Sequence, residues 1–190
     1  MTYNLLADML CTCEQFSSIA VEHLDWSNRQ PLIESEVKFH RPDILCVQEL
    51  QGNAAGAGVD DHHSALLASL SAVGYQARYV RKVKRNGGTW PHTQIGNAIF
   101  WLSDTFDYVE HLDILIAPLL NAACEDETSA AHFGRGAQVG LAVVLRHRLT
   151  GRPVVALTTH LSCNFQARRC PHSKPCLWRE TNASPNTGRT

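Results

Sequence analysis

The sequence predicts a mixed α/β (α+β) domain, and three observations carry that expectation. Short apolar, β-prone runs at 43–49 and 97–102 have the length and composition of strands covered on both faces. Helical spacing of apolar residues follows Ser27, and again Asp60 or Asp61. Two valine- and leucine-rich runs at 138–148 and 152–161 flank Leu149-Thr150-Gly151, a compact hairpin connection.

Taken in order, Met1 leads straight into Thr2-Tyr3-Asn4-Leu5-Leu6-Ala7, which reads as extended. A chain entering a core strand with no lead-in is expected to have further sequence upstream. Ser27-Asn28-Arg29-Gln30 has capping-box spacing, with Trp26 ahead of it for an apolar contact. Pro31 is then tolerable in the first turn, Ile33, Val37 and His40 form the stripe, and Arg41-Pro42 ends the helix. Asp-Ile-Leu-Cys-Val-Gln-Glu at 43–49 is the next strand, and it stops at the polar pair Gln48-Glu49. After a glycine-rich loop at 52–58, a helix from Asp60 or Asp61 buries Leu66, Leu67, Leu70 and Val73, and Gly74 suits its C-terminal cap. Strands follow at 75–83 and 97–102 around a polar loop at 84–94, and 117–136 reads as a long loop or short helix. In the last hairpin strand, alternation sets Val154, Ala156, Thr158 and His160 on one face and Val155, Leu157, Thr159 and Leu161 on the other. His160 thus emerges at a strand end. Beyond Phe165, proline, serine, asparagine and basic residues replace apolar periodicity, so 1–165 is read as one partial domain and 166–190 as a disordered tail.

Composition bounds the function. The chain has 190 residues, 44% hydrophobic and 18% charged, which excludes wholesale disorder and fits one core. A net charge of −1 gives no global field for nucleic acid, so any such binding must come from local patches. Seven cysteines, an odd count with no signal-peptide pattern ahead of them, fit reduced thiols and a cytoplasmic protein, with the nucleus as the alternative. No apolar run reaches the roughly 18 residues of a membrane-spanning helix, and no membrane partner is expected.

Five segments occur in a fixed order: Tyr3-Asn4-Leu5-Leu6-Ala7-Asp8; Leu24-Asp25-Trp26 with Arg29; Asp43 to Glu49; Asn97-Ala98-Ile99-Phe100-Trp101; and Thr158-Thr159-His160-Leu161. Together they resemble the endonuclease/exonuclease/phosphatase superfamily over about residues 2–165, particularly its poly(A) deadenylase, nocturnin, Angel and 2′-phosphodiesterase members. The resemblance implies part of a four-layer α/β/β/α sandwich, with two packed sheets flanked by helices and a divalent-metal site at one edge. It also implies a Mg2+-dependent phosphodiesterase, with Mn2+ as an alternative ion, acting on RNA 3′ ends or poly(A). A phosphorylated dinucleotide is the alternative substrate. A non-catalytic RNA- or protein-binding pseudoenzyme is the remaining reading.

Glu49 is the metal candidate. A strand-end carboxylate offers Mg2+ the hard oxygen it prefers, although by itself such a residue also reads as an ordinary surface glutamate. The resemblance implies that Asn4 positions metal and phosphate. It gives His160 the role of donating to a phosphate oxygen in the transition state. Asn164 takes a substrate-proximal position, with Cys163 and Phe165 where relatives carry tryptophan and proline. The family also needs an Asp-x-Asn motif and a terminal Asp-His pair beyond the His160 position, and residues 161–190 contain no aspartate. The abrupt change after a well-matched strand reads as a truncation, frameshift or retained intron, and little or no turnover is expected.

Two weaker constellations remain. Cys163, Cys170, His172 and Cys176 lack the Cys-x2-Cys spacing of a zinc knuckle. Arg78, Arg81, Lys82, Lys84 and Arg85, near Tyr79 and Trp90, could guide a nucleotide backbone, with a solvated strand edge as the plainer account.

Overall fold

The structure is a computed structural model that describes residues 1–52, 61–82, 94–123 and 137–161. Asn164, the four-residue zinc set, the 166–190 tail, and Lys84, Arg85 and Trp90 lie outside the described residues. Among the described residues, seven strands and four helices occur in the order β1 (Thr2–Asn4), α1 (Val21–Leu24), α2 (Trp26–His40), β2 (Ile44–Gln51), α3 (His62–Ser71), β3 (Tyr75–Arg81), β4 (Ile95–Leu102), β5 (Phe106–Leu115), α4 (Ile116–Ala123), β6 (Val139–His147) and β7 (Pro153–Thr159). A 3-10 turn at Asp8–Leu10 follows β1.

The strands form two sheets, one ordered β1-β2-β4-β3 and the other β5-β6-β7. β1 runs parallel to β2, and the other pairings are antiparallel. β4 is the seam of the molecule, buried at every position from Ile95 to Leu102. Its Ala98, Phe100 and Leu102 join Leu45, Val47, Ile33, Val37, Leu66 and Leu70 in a core under α2 and α3. Ile99 and Trp101 face the other way and pack with Phe106, Leu141, Val143, Leu145 and Ala156 between the sheets. This mixed two-sheet arrangement, with helices on the outer face of the first sheet, is the predicted α/β sandwich. Three of its four layers are visible among the described residues. The outer face of β5-β6-β7 leaves Leu112, Val155 and Leu157 between 60% and 65% exposed.

Several local expectations change. The cap of α2 is Asp25 rather than Ser27: its side chain accepts from the Ser27 amide at 2.8 Å, and the Ser27 hydroxyl donates to the same oxygen. Those hydrogen bonds lower the Asp25 pKa, the side-chain bond most. Trp26 therefore opens the helix instead of preceding it. Pro31 falls in the second turn, where its missing N–H cannot reach the Ser27 carbonyl. Ile33 and Val37 are buried as expected, but His40 is exposed beside Glu36. Arg41, at φ 39°, ends the helix in the left-handed region. Asp61 caps α3 through the Ser64 amide at 3.0 Å, and Leu66 and Leu70 are buried, whereas Val73 lies past the helix end and is 38% exposed. The β6–β7 turn has Gly151 at φ +68°, a conformation glycine takes without steric cost. β5 was not expected at all.

The basic stretch on β3 divides by alternation. Arg78 turns toward the second sheet, with its guanidinium 4.6 Å from the Tyr108 ring centroid. Tyr79 turns toward the helices, stacks on His63 at 4.5 Å and donates its hydroxyl to the Leu50 and Gln94 carbonyls. Burial raises the Tyr79 pKa strongly and leaves its ring unavailable as a stacking platform.

Candidate active site

The site forms where the C-terminal ends of β1, β2 and β7 meet. β2 pairs regularly with β4 up to Val47↔Ala98 and resumes at Leu50↔Gly96, so Gln48 and Glu49 together oppose one residue of β4. This is a β-bulge, and Glu49 takes φ 57° within it. In an unbroken ladder Glu49 would share the face of Leu45 and Val47, beneath the helices. The bulge releases it from that core and returns the next residue, Leu50, to the helix side.

The segment after β1 meets the released carboxylate. Asn4 Nδ2 donates to Glu49 Oε1 at 3.0 Å, and the Ala7 amide donates to Oε2 at 3.3 Å. The Leu6 amide donates to Asn4 Oδ1 at 2.9 Å, which sets the amide with its NH2 toward Glu49. Leu6 is itself left-handed, at φ 54°. From the second sheet, His160 Nε2 lies 3.4 Å from Glu49 Oε1, close enough for an ion pair whenever the imidazole carries a proton. Glu49 is 9% exposed, and no polar atom of a described residue lies within bonding reach of buried His160 Nδ1.

Asn4, Glu49 and His160, chosen from the sequence, are thus neighbours at one corner. Gln48 was noted only as half of a polar pair, yet it links the sheets there. Its Nε2 donates to Thr158 Oγ1 at 2.8 Å and to Thr2 Oγ1 at 3.1 Å, which seats the end of β7 against β1 and β2. Lys82, just past β3, contributes positive potential. Burial lowers its pKa and the Glu49 charge partly offsets that, so the ammonium is half-buried within electrostatic reach of the carboxylate.

The donor set suits Mg2+ in kind, because Glu49 offers hard carboxylate oxygens, with the Asn4 NH2 holding one of them. It is sparse in number: among the described residues no group of three His, Cys, Asp or Glu side chains could hold a metal. Mg2+ tolerates sparse protein ligation, since it keeps several waters and is commonly held by one or two carboxylates plus substrate phosphate.

No family model matches the chain. Nocturnin of Xenopus laevis is 29% identical over 169 residues, which are 85% of this chain and 37% of that protein. The CCR4-Not complex 3′-5′-exoribonuclease subunit Ccr4 of Yarrowia lipolytica is 26% identical over 164 residues, 85% of this chain and 23% of that one. Among solved structures, ANGEL2, a 2′,3′-cyclic phosphatase, in complex with adenosine-2′,3′-vanadate superposes with a TM-score of 0.62 and 25% identity, covering 86% of this chain and 41% of that one. The human Nocturnin catalytic domain with bound sulfate gives a TM-score of 0.57 and 26% identity over 86% of this chain and 49% of that one. The chain therefore spans less than half the length of the curated relatives it matches. Ordered motifs, two-sheet architecture and these relatives together support kinship with the endonuclease/exonuclease/phosphatase superfamily, in its deadenylase, nocturnin and Angel branch.

Proposed function

We propose that this chain carries the amino-terminal half-site of a Mg2+-dependent phosphodiesterase acting on RNA 3′ ends, in the manner of a poly(A) exoribonuclease, and that by itself it turns over little or no substrate. The observation behind this reading is the meeting of Asn4, Glu49 and His160 within hydrogen-bond or ion-pair distance at the junction of two sheets.

In this reading Glu49 is the residue that would hold the metal, and Asn4 orients its carboxylate and presents an amide to the phosphate. A bound Mg2+ would neutralise phosphate oxygens and assist activation of the attacking water. His160, whose Nε2 lies beside Glu49, would donate to a non-bridging phosphate oxygen as charge builds on it. Lys82 adds positive potential on the β3 side. The activating aspartate and the general base of the family pattern have no counterpart in residues 161–190, which is the reason for expecting negligible turnover by these 190 residues alone. The protein is proposed to act in the cytoplasm, with the nucleus as the alternative.

The test is release of adenylate from end-labelled oligo(A) in the presence of Mg2+. The 190-residue chain is expected to release nothing above the no-enzyme control. Robust release, abolished by Glu49→Ala, would overturn the incomplete-site reading. Similarity to a 2′,3′-cyclic phosphatase and to Nocturnin favours a second reading, in which the substrate is a phosphorylated mono- or dinucleotide. Phosphate release from such compounds, measured beside oligo(A) shortening, separates the two.

A further inference from the structure

We infer that Arg29 is the positioning residue of this site, holding the segment after β1 in the one conformation that presents donors to Glu49. The inference rests on the half-site reading above. The Arg29 side chain is 15% exposed, and each of its three guanidinium nitrogens has a partner. Nη1 donates to the Leu5 and Leu6 carbonyls, both at 2.9 Å, and Nε donates to the Leu24 carbonyl at 3.0 Å. Nη2 reaches Asp8 Oδ1 at 3.3 Å, and the Trp26 ring centroid lies 5.2 Å from the guanidinium carbon.

This arrangement acts at the residue that needs it. Leu6, at φ 54°, sits in a region that side chains with a Cβ avoid unless their surroundings impose it. Arg29 Nη1 grips the carbonyls of the two peptide units that flank the Leu6 Cα: that of Leu5, whose plane carries the Leu6 N–H, and that of Leu6, whose plane carries the Ala7 N–H. Held there, the Leu6 amide points at Asn4 Oδ1 and the Ala7 amide at Glu49 Oε2. Arg29 touches neither Glu49 nor His160, so its influence on the carboxylate runs through three residues of backbone. A lysine could keep the charge but not the planar set of donors that spans three carbonyls.

The experiment uses the whole chain and two readouts: amide hydrogen exchange at Leu6 and Ala7, and titration with Mn2+ alone. In Arg29→Lys, exchange at those two amides is expected to rise about tenfold while β4 amides keep wild-type rates, and Mn2+ affinity is expected to fall about 10- to 100-fold, as it does when outer partners of a metal ligand are lost. Leu6→Gly in the same background should recover much of that affinity, because glycine adopts the left-handed conformation unaided; a merely structural arginine would show no such rescue. Should Arg29→Lys fail to fold, Asp8→Asn removes only the carboxylate that steers the guanidinium and should show the same pattern at smaller amplitude. Unchanged exchange at Leu6 and Ala7, or faster exchange with unaltered Mn2+ affinity, overturns the assignment. If the wild type takes up no Mn2+, the metal reading fails, and the exchange arm alone then decides for or against Arg29.

Discussion

β4 and β5 are consecutive and joined by three residues, yet they sit in opposite surroundings. All eight residues of β4 are buried, between the helices on one side and the second sheet on the other. Of the ten residues of β5, only Phe106 is fully buried. The same contrast separates the two sheets. The first is covered on both faces, whereas the second packs only its inner face against described residues and shows Leu112, Val155 and Leu157 on the outer one. Stability in this chain is therefore concentrated in the β2–β4–β6 region, and the outer surface of β5-β6-β7 contributes little of it.

Substitution of one leucine on each face of the second sheet gives the largest expected difference. Leu141, fully buried between the sheets, should cost about 2–5 kcal/mol on truncation to alanine, through lost transfer energy and the cavity left behind. Leu157 is 60% exposed, and its truncation should stay within about 0.5 kcal/mol. Urea denaturation of Leu141→Ala and Leu157→Ala measures both. A Leu157→Ala loss that matched Leu141→Ala would show that the outer face is covered in solution, and the contrast would collapse.

A smaller effect is expected at the seam. Asn97 on β4 is 1% exposed and donates through Nδ2 to the Val139 carbonyl at 2.8 Å, a carbonyl that also accepts from Thr159 Oγ1 at 3.0 Å. Asn97→Ala should lower stability by about 1–3 kcal/mol, because it removes one donor to a buried carbonyl. A neutral result in the same urea assay would mean that the Asn97 bond adds nothing to what apolar packing and the Gln48–Thr158 bond already supply between the sheets.

The smallest effect concerns the helical roof of the first sheet. Burial lowers the His63 pKa from 6.5, with the Asp61 charge opposing, while the ring stacks on Tyr79. A histidine with a depressed folded pKa favours folding at pH above its unfolded value. That contribution is lost as the pH falls below 6.5 toward the folded value, because the unfolded chain takes up the proton first. The urea midpoint should therefore drop across that interval in the wild type, and less so in His63→Gln. Equal pH dependence of the two proteins would remove His63 from the account.

The same contrast explains what could be read from sequence. A strand buried on both faces must be apolar throughout, and 97–102 announces itself for that reason. β5 is an edge strand whose pairing with β6 shifts register between Tyr108 and Glu110. The shift changes which parity faces inward partway along, so Phe106-Asp107-Tyr108-Val109-Glu110-His111 shows no steady alternation. At the start of α2, Asp25 and Ser27 are both capping residues two positions apart, and only the observed bond from the Ser27 amide to Asp25 separates them. Asn4, Glu49 and His160 were legible because they stand in recognisable segments at strand ends. Gln48 and Arg29 were not given roles: one bridges strands 110 positions apart in sequence, and the other binds backbone carbonyls, which leave no mark on composition.

Glu49 is the surplus residue of its strand, the one that β2 accommodates without a partner opposite. Removing it by a single-codon deletion would let Gln48 and Leu50 close into an uninterrupted ladder, with every apolar side chain of β2 already on its proper side. Chemistry and architecture are then separable at this point of the chain. A descendant could shed the proposed metal-binding carboxylate and gain a straighter sheet in the same step, which makes a folded relative without that group an easily reached outcome for this kind of domain.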